Sequence, residues 1–198
     1  IGLAAIVLLS VNLIATSSFR NVKADLTQQR SFTISKGTRE VLRALDYAHR
    51  QGVIHRDVKP ANVLIGRDGD ALLSDFGIAK IYSEAQKLTG EGMMVGTPAY
   101  MAPEQLKGEP VDARTDIYSL GGVLYQALTG ECPFVAETPL AVAMMHVHNP
   151  LRPPRQLNPA IPEAFERVIL RAMAKQADER FQDAGAMARA LRAANTGI

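Results

Sequence analysis

The chain has 198 residues, 47% of them hydrophobic and 21% charged, with a net charge of +2 and one cysteine, Cys132. That length suits one domain, or a domain and a half, with enough chain to bury a core. The near-neutral balance gives no support for a nucleic-acid partner, and a lone cysteine excludes an internal disulfide.

Residues 1–19, IGLAAIVLLSVNLIATSSF, carry no charge, and the first charges follow at Arg20 and Lys23. About 18 uncharged residues is the lower limit for a membrane-spanning helix. A basic flank on its C-terminal side would place the rest of the chain in the cytoplasm. A buried strand or core helix is equally apolar, so the run stands as a candidate transmembrane helix or a strand remnant. It lacks the basic leading segment of a secretory signal. The start at Ile1 fits a piece of a longer reading frame. Residues 20–36 are polar and mixed and read as a connector.

From Thr38 the pattern sharpens, with Val41, Leu42, Leu45 and Ala48 at helical spacing and Gly52 as the stop. Short β-type runs follow at Val53–His55, Asn62–Ile65 and Ala71–Ser74, the last two separated by the turn GRDG at 66–69. Residues 80–98 show no period and predict a long functional loop. Helices are then expected over Thr115–Leu128, ended by Gly130, and over Pro139–His148, Pro162–Lys175 and Asp183–Ala194. Prolines 150, 153, 154 and 159 mark the loop after the second of these. The sum is an α+β fold, mostly α, with a small β-hairpin layer.

Four motifs carry chemistry: HRDVKPAN at 55–62, DFG at 75–77, GTPAYMAPE at 96–104 and DIYSLG at 116–121. Together with Arg180 they resemble eukaryotic-type protein kinases, in the wording of the bacterial serine/threonine kinases. One such triplet is a weak signal; this ordered set, in loop contexts, is a specific one. The resemblance covers about residues 37–198 and implies the kinase C-terminal lobe, with ATP and Mg²⁺ as cofactors. Phosphoryl transfer is mostly positioning and neutralisation of developing charge. By motif, Asp57 orients the attacking hydroxyl and accepts its proton, and Lys59 reaches the transferred phosphate. Asn62 and Asp75 offer oxygens to Mg²⁺, which favours a few oxygen ligands plus phosphate.

The resemblance also assigns supporting roles. Asp116 would pin the catalytic loop through its backbone amides, and Glu104 and Arg180 would form a buried ion pair. His55 reads as a packed structural residue, and His146 and His148 as surface residues. Arg56, preceding Asp57, implies control by phosphorylation of the loop, because arginine binds phosphate by paired charge-assisted bonds. Acceptors there are Tyr82, Ser83, Thr89 and Thr97. Thr97 belongs to the GTP motif and is expected to contact Asp57 and Lys59, which leaves Thr89 as the expected phosphosite.

The family pattern further needs a glycine-rich loop, a strand lysine and a helix glutamate in an N-terminal lobe. Residues 1–37 contain no GxGxxG, and no lysine before Lys23. The expected function is therefore ATP-dependent transfer to serine or threonine hydroxyls of a protein substrate, by a truncated domain inactive alone. The alternative is a non-catalytic lobe that docks substrates, a complete kinase or its own missing N-terminal lobe.

Overall fold

The computed structural model describes residues 33–66, 70–76 and 98–196, and the membrane-or-strand reading of residues 1–19 lies outside them. Helix α1 spans 33–50. Pro60–Asn62 forms a 3-10 turn that leads into strand β1, Val63–Ile65, and β2 is Ala71–Leu73. The two strands pair antiparallel, with Leu64 opposite Leu72, as the hairpin reading requires. A second 3-10 turn, Pro98–Tyr100, precedes α2 (Pro103–Lys107) and α3 (Ala113–Thr129). Then come α4 (Pro139–His148), α5 (Pro154–Leu157), α6 (Glu163–Ala172), the 3-10 turn Ala177–Glu179 and α7 (Ala184–Thr196).

Helix α3 is the axis of the domain. The Asp112 side chain caps it by accepting from Arg114 N at 2.8 Å, and Gly130, at φ 84°, ends it in the left-handed conformation that glycine adopts without strain. Between these caps Ile117, Tyr118, Leu120, Leu124 and Tyr125 are all buried. Helices α5, α6 and α7 pack on it, and Val41, Leu42 and Leu45 of α1 join the same core. The approach of α3 to α6 is close enough that a Cβ on Gly121 would lie 2.9 Å from the Ala172 Cβ and 2.8 Å from the Met173 Cγ. The nearness of the Ala172 and Met173 side chains, not flexibility, requires glycine there.

Three boundaries differ from expectation. Helix α1 already runs at residue 33, inside the expected connector, and Thr38 lies within it, its hydroxyl donating to the Ile34 carbonyl one turn back. Val53–His55 is apolar enough for a strand but pairs with no strand among the described residues; its His55 amide donates instead to the Asp116 side chain. Helix α6 stops at Ala172 rather than Lys175, because the carbonyls of Ala174 and Lys175 turn inward to accept from Arg180. Among the described residues no helix is long and apolar enough to cross a membrane.

Gly121→Val should lower stability by about 1–3 kcal/mol through overpacking. Gly122→Ala, whose added Cβ would meet Tyr100 and Pro133 at ordinary distances of 3.4 and 3.5 Å, should not. Paired thermal melts of the two variants check this.

Candidate functional site

The segment from His55 to Asn62 has no regular structure until its final turn, so side chains must supply its shape. Asp116, in the first turn of α3, is fully buried and supplies most of it. Its Oδ2 accepts from His55 N and lies 2.8 Å from His49 Nε2, while its Oδ1 accepts from Arg56 N at 2.8 Å. Arg56 is held at φ 65°, a left-handed conformation that costs a non-glycine residue energy and needs such anchoring. The Arg56 carbonyl is fixed from the other side by Gln105 Nε2 at 2.9 Å, while Gln105 Oε1 accepts from Ala102 N.

His55 is fully buried, as expected for a packed residue. Its Nδ1 accepts from Asp57 N at 3.2 Å and its Nε2 donates to the Ser74 carbonyl at 2.9 Å, so the ring proton sits on Nε2. The ring also packs 4.6 Å from Phe76. One imidazole thus joins the loop to the strand end that carries Asp75.

Asp57, Lys59 and Asn62 come together. Lys59 Nζ lies 2.8 Å from Asp57 Oδ2, and Asn62 Nδ2 donates to the Asp57 carbonyl at 2.8 Å and to Oδ2 at 3.2 Å. With its amide nitrogen on Asp57, Asn62 keeps its amide oxygen as the end to offer a cation. Asp75 is joined through Ser74, whose N donates to the Asn62 carbonyl at 2.9 Å and whose hydroxyl lies 3.5 Å from Asp75 Oδ2. Asp75 is exposed and held at φ 56°. An amide oxygen and a carboxylate on tethered loops fit Mg²⁺, which takes one or two protein oxygens and completes its shell with phosphate and water. Among the described residues no group of His, Cys, Asp and Glu forms a metal cage. Tyr100 and Met101 face Asp57 and Lys59 across a small cleft.

Glu104 and Arg180 form the expected buried pair, through two parallel bonds of 2.8 Å. Thr115 donates a third bond to Glu104, and Arg180 also donates to the carbonyls of Ala174, Arg114 and Lys175. Burial pushes the Glu104 carboxyl up, but the Arg180 guanidinium and the Thr115 hydroxyl together hold it below the ordinary glutamate value.

His148 is exposed, but His146 is not the surface residue expected: it is fully buried. Tyr118 and the Ala99 carbonyl hydrogen-bond its two nitrogens, at 2.9 and 3.1 Å. Burial, with Lys175 nearby, pushes its pKa down to about 4. His49, Ser74 and Gln105 also escaped sequence reasoning; the only signal was their placement beside motif residues. Thr89 and Thr97 lie outside the described residues.

A family model described as the protein kinase domain matches residues 6–190, beginning inside the apolar run. The chain is 47% identical over 146 residues to the DNA damage-responsive serine/threonine-protein kinase RqkA of Deinococcus radiodurans, covering 74% of this chain and 22% of that protein. It is 43% identical over 148 residues to the serine/threonine-protein kinase PknB of Mycobacterium leprae, covering 75% of this chain and 24% of that one. The fold matches a double mutant of the Mycobacterium tuberculosis PknI kinase domain with a TM-score of 0.62 and 27% identity, over 83% of this chain and 55% of that one.

Glu104→Ala strands the Arg180 charge and should cost about 3–5 kcal/mol in urea unfolding. The acid limb has two parts. Glu104 stabilises above the ordinary glutamate range and loses its contribution as pH falls through its lowered native value. The unfolded chain protonates His146 first, so that contribution is complete above about pH 6.5 and is lost as pH falls toward 4. Urea midpoints over this range should decline, and His146→Phe should flatten the decline.

Proposed function

The chain belongs to the protein kinase domain family, and from that premise we propose that it carries the phosphoryl-transfer loop of a serine/threonine protein kinase. The substrate class is a protein serine or threonine hydroxyl, and the phosphate donor is ATP. The observation that carries this reading is the Asp57–Lys59–Asn62 cluster, bonded internally, pinned by Asp116 and tied through Ser74 to Asp75. A lobe used only for docking has no chemical need for all four groups.

The resemblance supplies the roles, and the geometry is compatible with them. Asp57 orients the acceptor hydroxyl and takes its proton. Lys59, 2.8 Å from that carboxylate, adds positive charge where the transferred phosphate gathers negative charge. Asn62 and Asp75 would hold Mg²⁺, which when bound neutralises charge on the nucleotide phosphates. Tyr100 and Met101 give the substrate a surface against which to lie. Thr89, once phosphorylated, would be paired by Arg56 in a phosphorylation-controlled loop.

The extent of the family match favours residues 6–36 as part of the kinase domain over a bilayer segment, and ATP use favours a cytoplasmic setting. The 198 residues alone transfer phosphate slowly or not at all, because residues 1–37 contain no GxGxxG and no lysine before Lys23. One good phosphate donor is worth roughly 3–4 kcal/mol and full positioning about 7–11 kcal/mol.

Titration of the purified chain with ATP and Mg²⁺ tests the site directly. Binding should weaken more than about tenfold in Asp75→Ala and persist in Asp57→Asn, since Asp57 faces the acceptor and not the metal. A folded chain whose ATP binding ignores Asp75 would refute the reading.

A further inference from the structure

His146 lies far from the catalytic loop in sequence, yet its imidazole is bonded at both ends. A carbonyl can only accept, so Nε2–H donates to Ala99 O at 3.1 Å. Nδ1 then accepts from the Tyr118 hydroxyl at 2.9 Å. Phe134 packs edge-on against the ring, 4.7 Å between centroids. Lys175 secures the backbone behind it, donating to the carbonyls of His146 at 2.7 Å and Met145 at 3.2 Å near the C-terminal end of α4, and lying 4.4 Å over the Phe134 ring. Burial keeps the imidazole neutral, as a ring that donates from one nitrogen and accepts at the other must be.

What this ring holds is the turn Pro98–Tyr100, whose next residues face the site. Met101 N closes the turn on Pro98 O at 3.1 Å, and Tyr100 and Met101 line the cleft opposite Asp57 and Lys59. We propose that His146, oriented by Tyr118, is a positioning residue for the protein substrate: it fixes the Ala99 carbonyl and thereby the surface against which residues flanking the acceptor hydroxyl lie. This rests on the kinase reading above. It makes α4 part of the substrate platform through a hydrogen bond, without contact to substrate or nucleotide. Phenylalanine could fill the volume but could neither donate to Ala99 nor accept from Tyr118.

The test uses the full chain with His146→Phe, His146→Gln and Tyr118→Phe, and two readouts. In the first, amide hydrogen exchange at residues 99–101 should rise about tenfold in His146→Phe, as expected for one lost buried hydrogen bond, and fall back in His146→Gln, which still donates. Tyr118→Phe removes only a hydroxyl and should raise it about threefold; it decides the matter should His146→Phe fail to fold. In the second, the Kd for a serine/threonine peptide should rise about tenfold in His146→Phe and recover in His146→Gln. Nitrogen NMR of the wild-type ring should show Nε2 protonated and Nδ1 bare. Unchanged exchange at 99–101 in folded variants would overturn the proposal, as would unchanged peptide binding in a folded His146→Phe. A folded wild type whose ATP binding ignores Asp75 would sink the kinase reading instead, and exchange would still decide the role of His146.

Discussion

A carboxylate with no water around it is costly unless donors fill its lone pairs, and Asp116 is fully buried. Its two oxygens take the backbone N–H groups of His55 and Arg56 and the ring of His49. The first turn of α3 adds a favourable field, since helix N-termini attract negative charge. The dependence runs both ways. The loop needs the carboxylate to keep Arg56 at its positive φ, and the buried carboxylate needs the loop's amides as donors to its oxygens.

Its neighbour extends the arrangement to the other side of the site. Thr115 bonds Glu104, which Arg180 clamps, and Gln105 reaches from the same short helix back to the Arg56 carbonyl. Two consecutive residues of α3 therefore hold both walls of the cleft, the loop carrying Asp57 and the segment carrying Tyr100 and Met101. Tyr118 and His146 then fix the second wall from its far side. The close approach at Gly121 keeps this helix seated against α6, whose end supplies the carbonyls that satisfy Arg180.

The candidate letters of the site were legible because each motif is a contiguous string, and the structure brings Asp57, Lys59 and Asn62 together with Asp75 tied to them through Ser74. Helix α3 was legible from its apolar spacing and from Gly130. His146 was misread because it sits in the polar string HVHNP, and its burial is made by Tyr118 and Ala99, 28 and 47 positions away. No residue type announces that Arg56 will take a left-handed φ; the signal is a side chain 60 positions downstream. Val53–His55 misled for the same reason, since the hydrogen-bond partner of its last amide is a carboxylate rather than a strand.

Those separations have a consequence for the order in which the protein comes into being. Chains leave the ribosome from the N-terminal end. The loop at 55–62 therefore emerges some sixty residues before Asp116, whose bonds to it span 60 and 61 positions, and Glu104 waits 76 more for Arg180. During that interval the nascent polypeptide holds every letter of its catalytic string and none of its shape. A nascent chain that has not yet reached α3 therefore carries the string without the carboxylate that pins it.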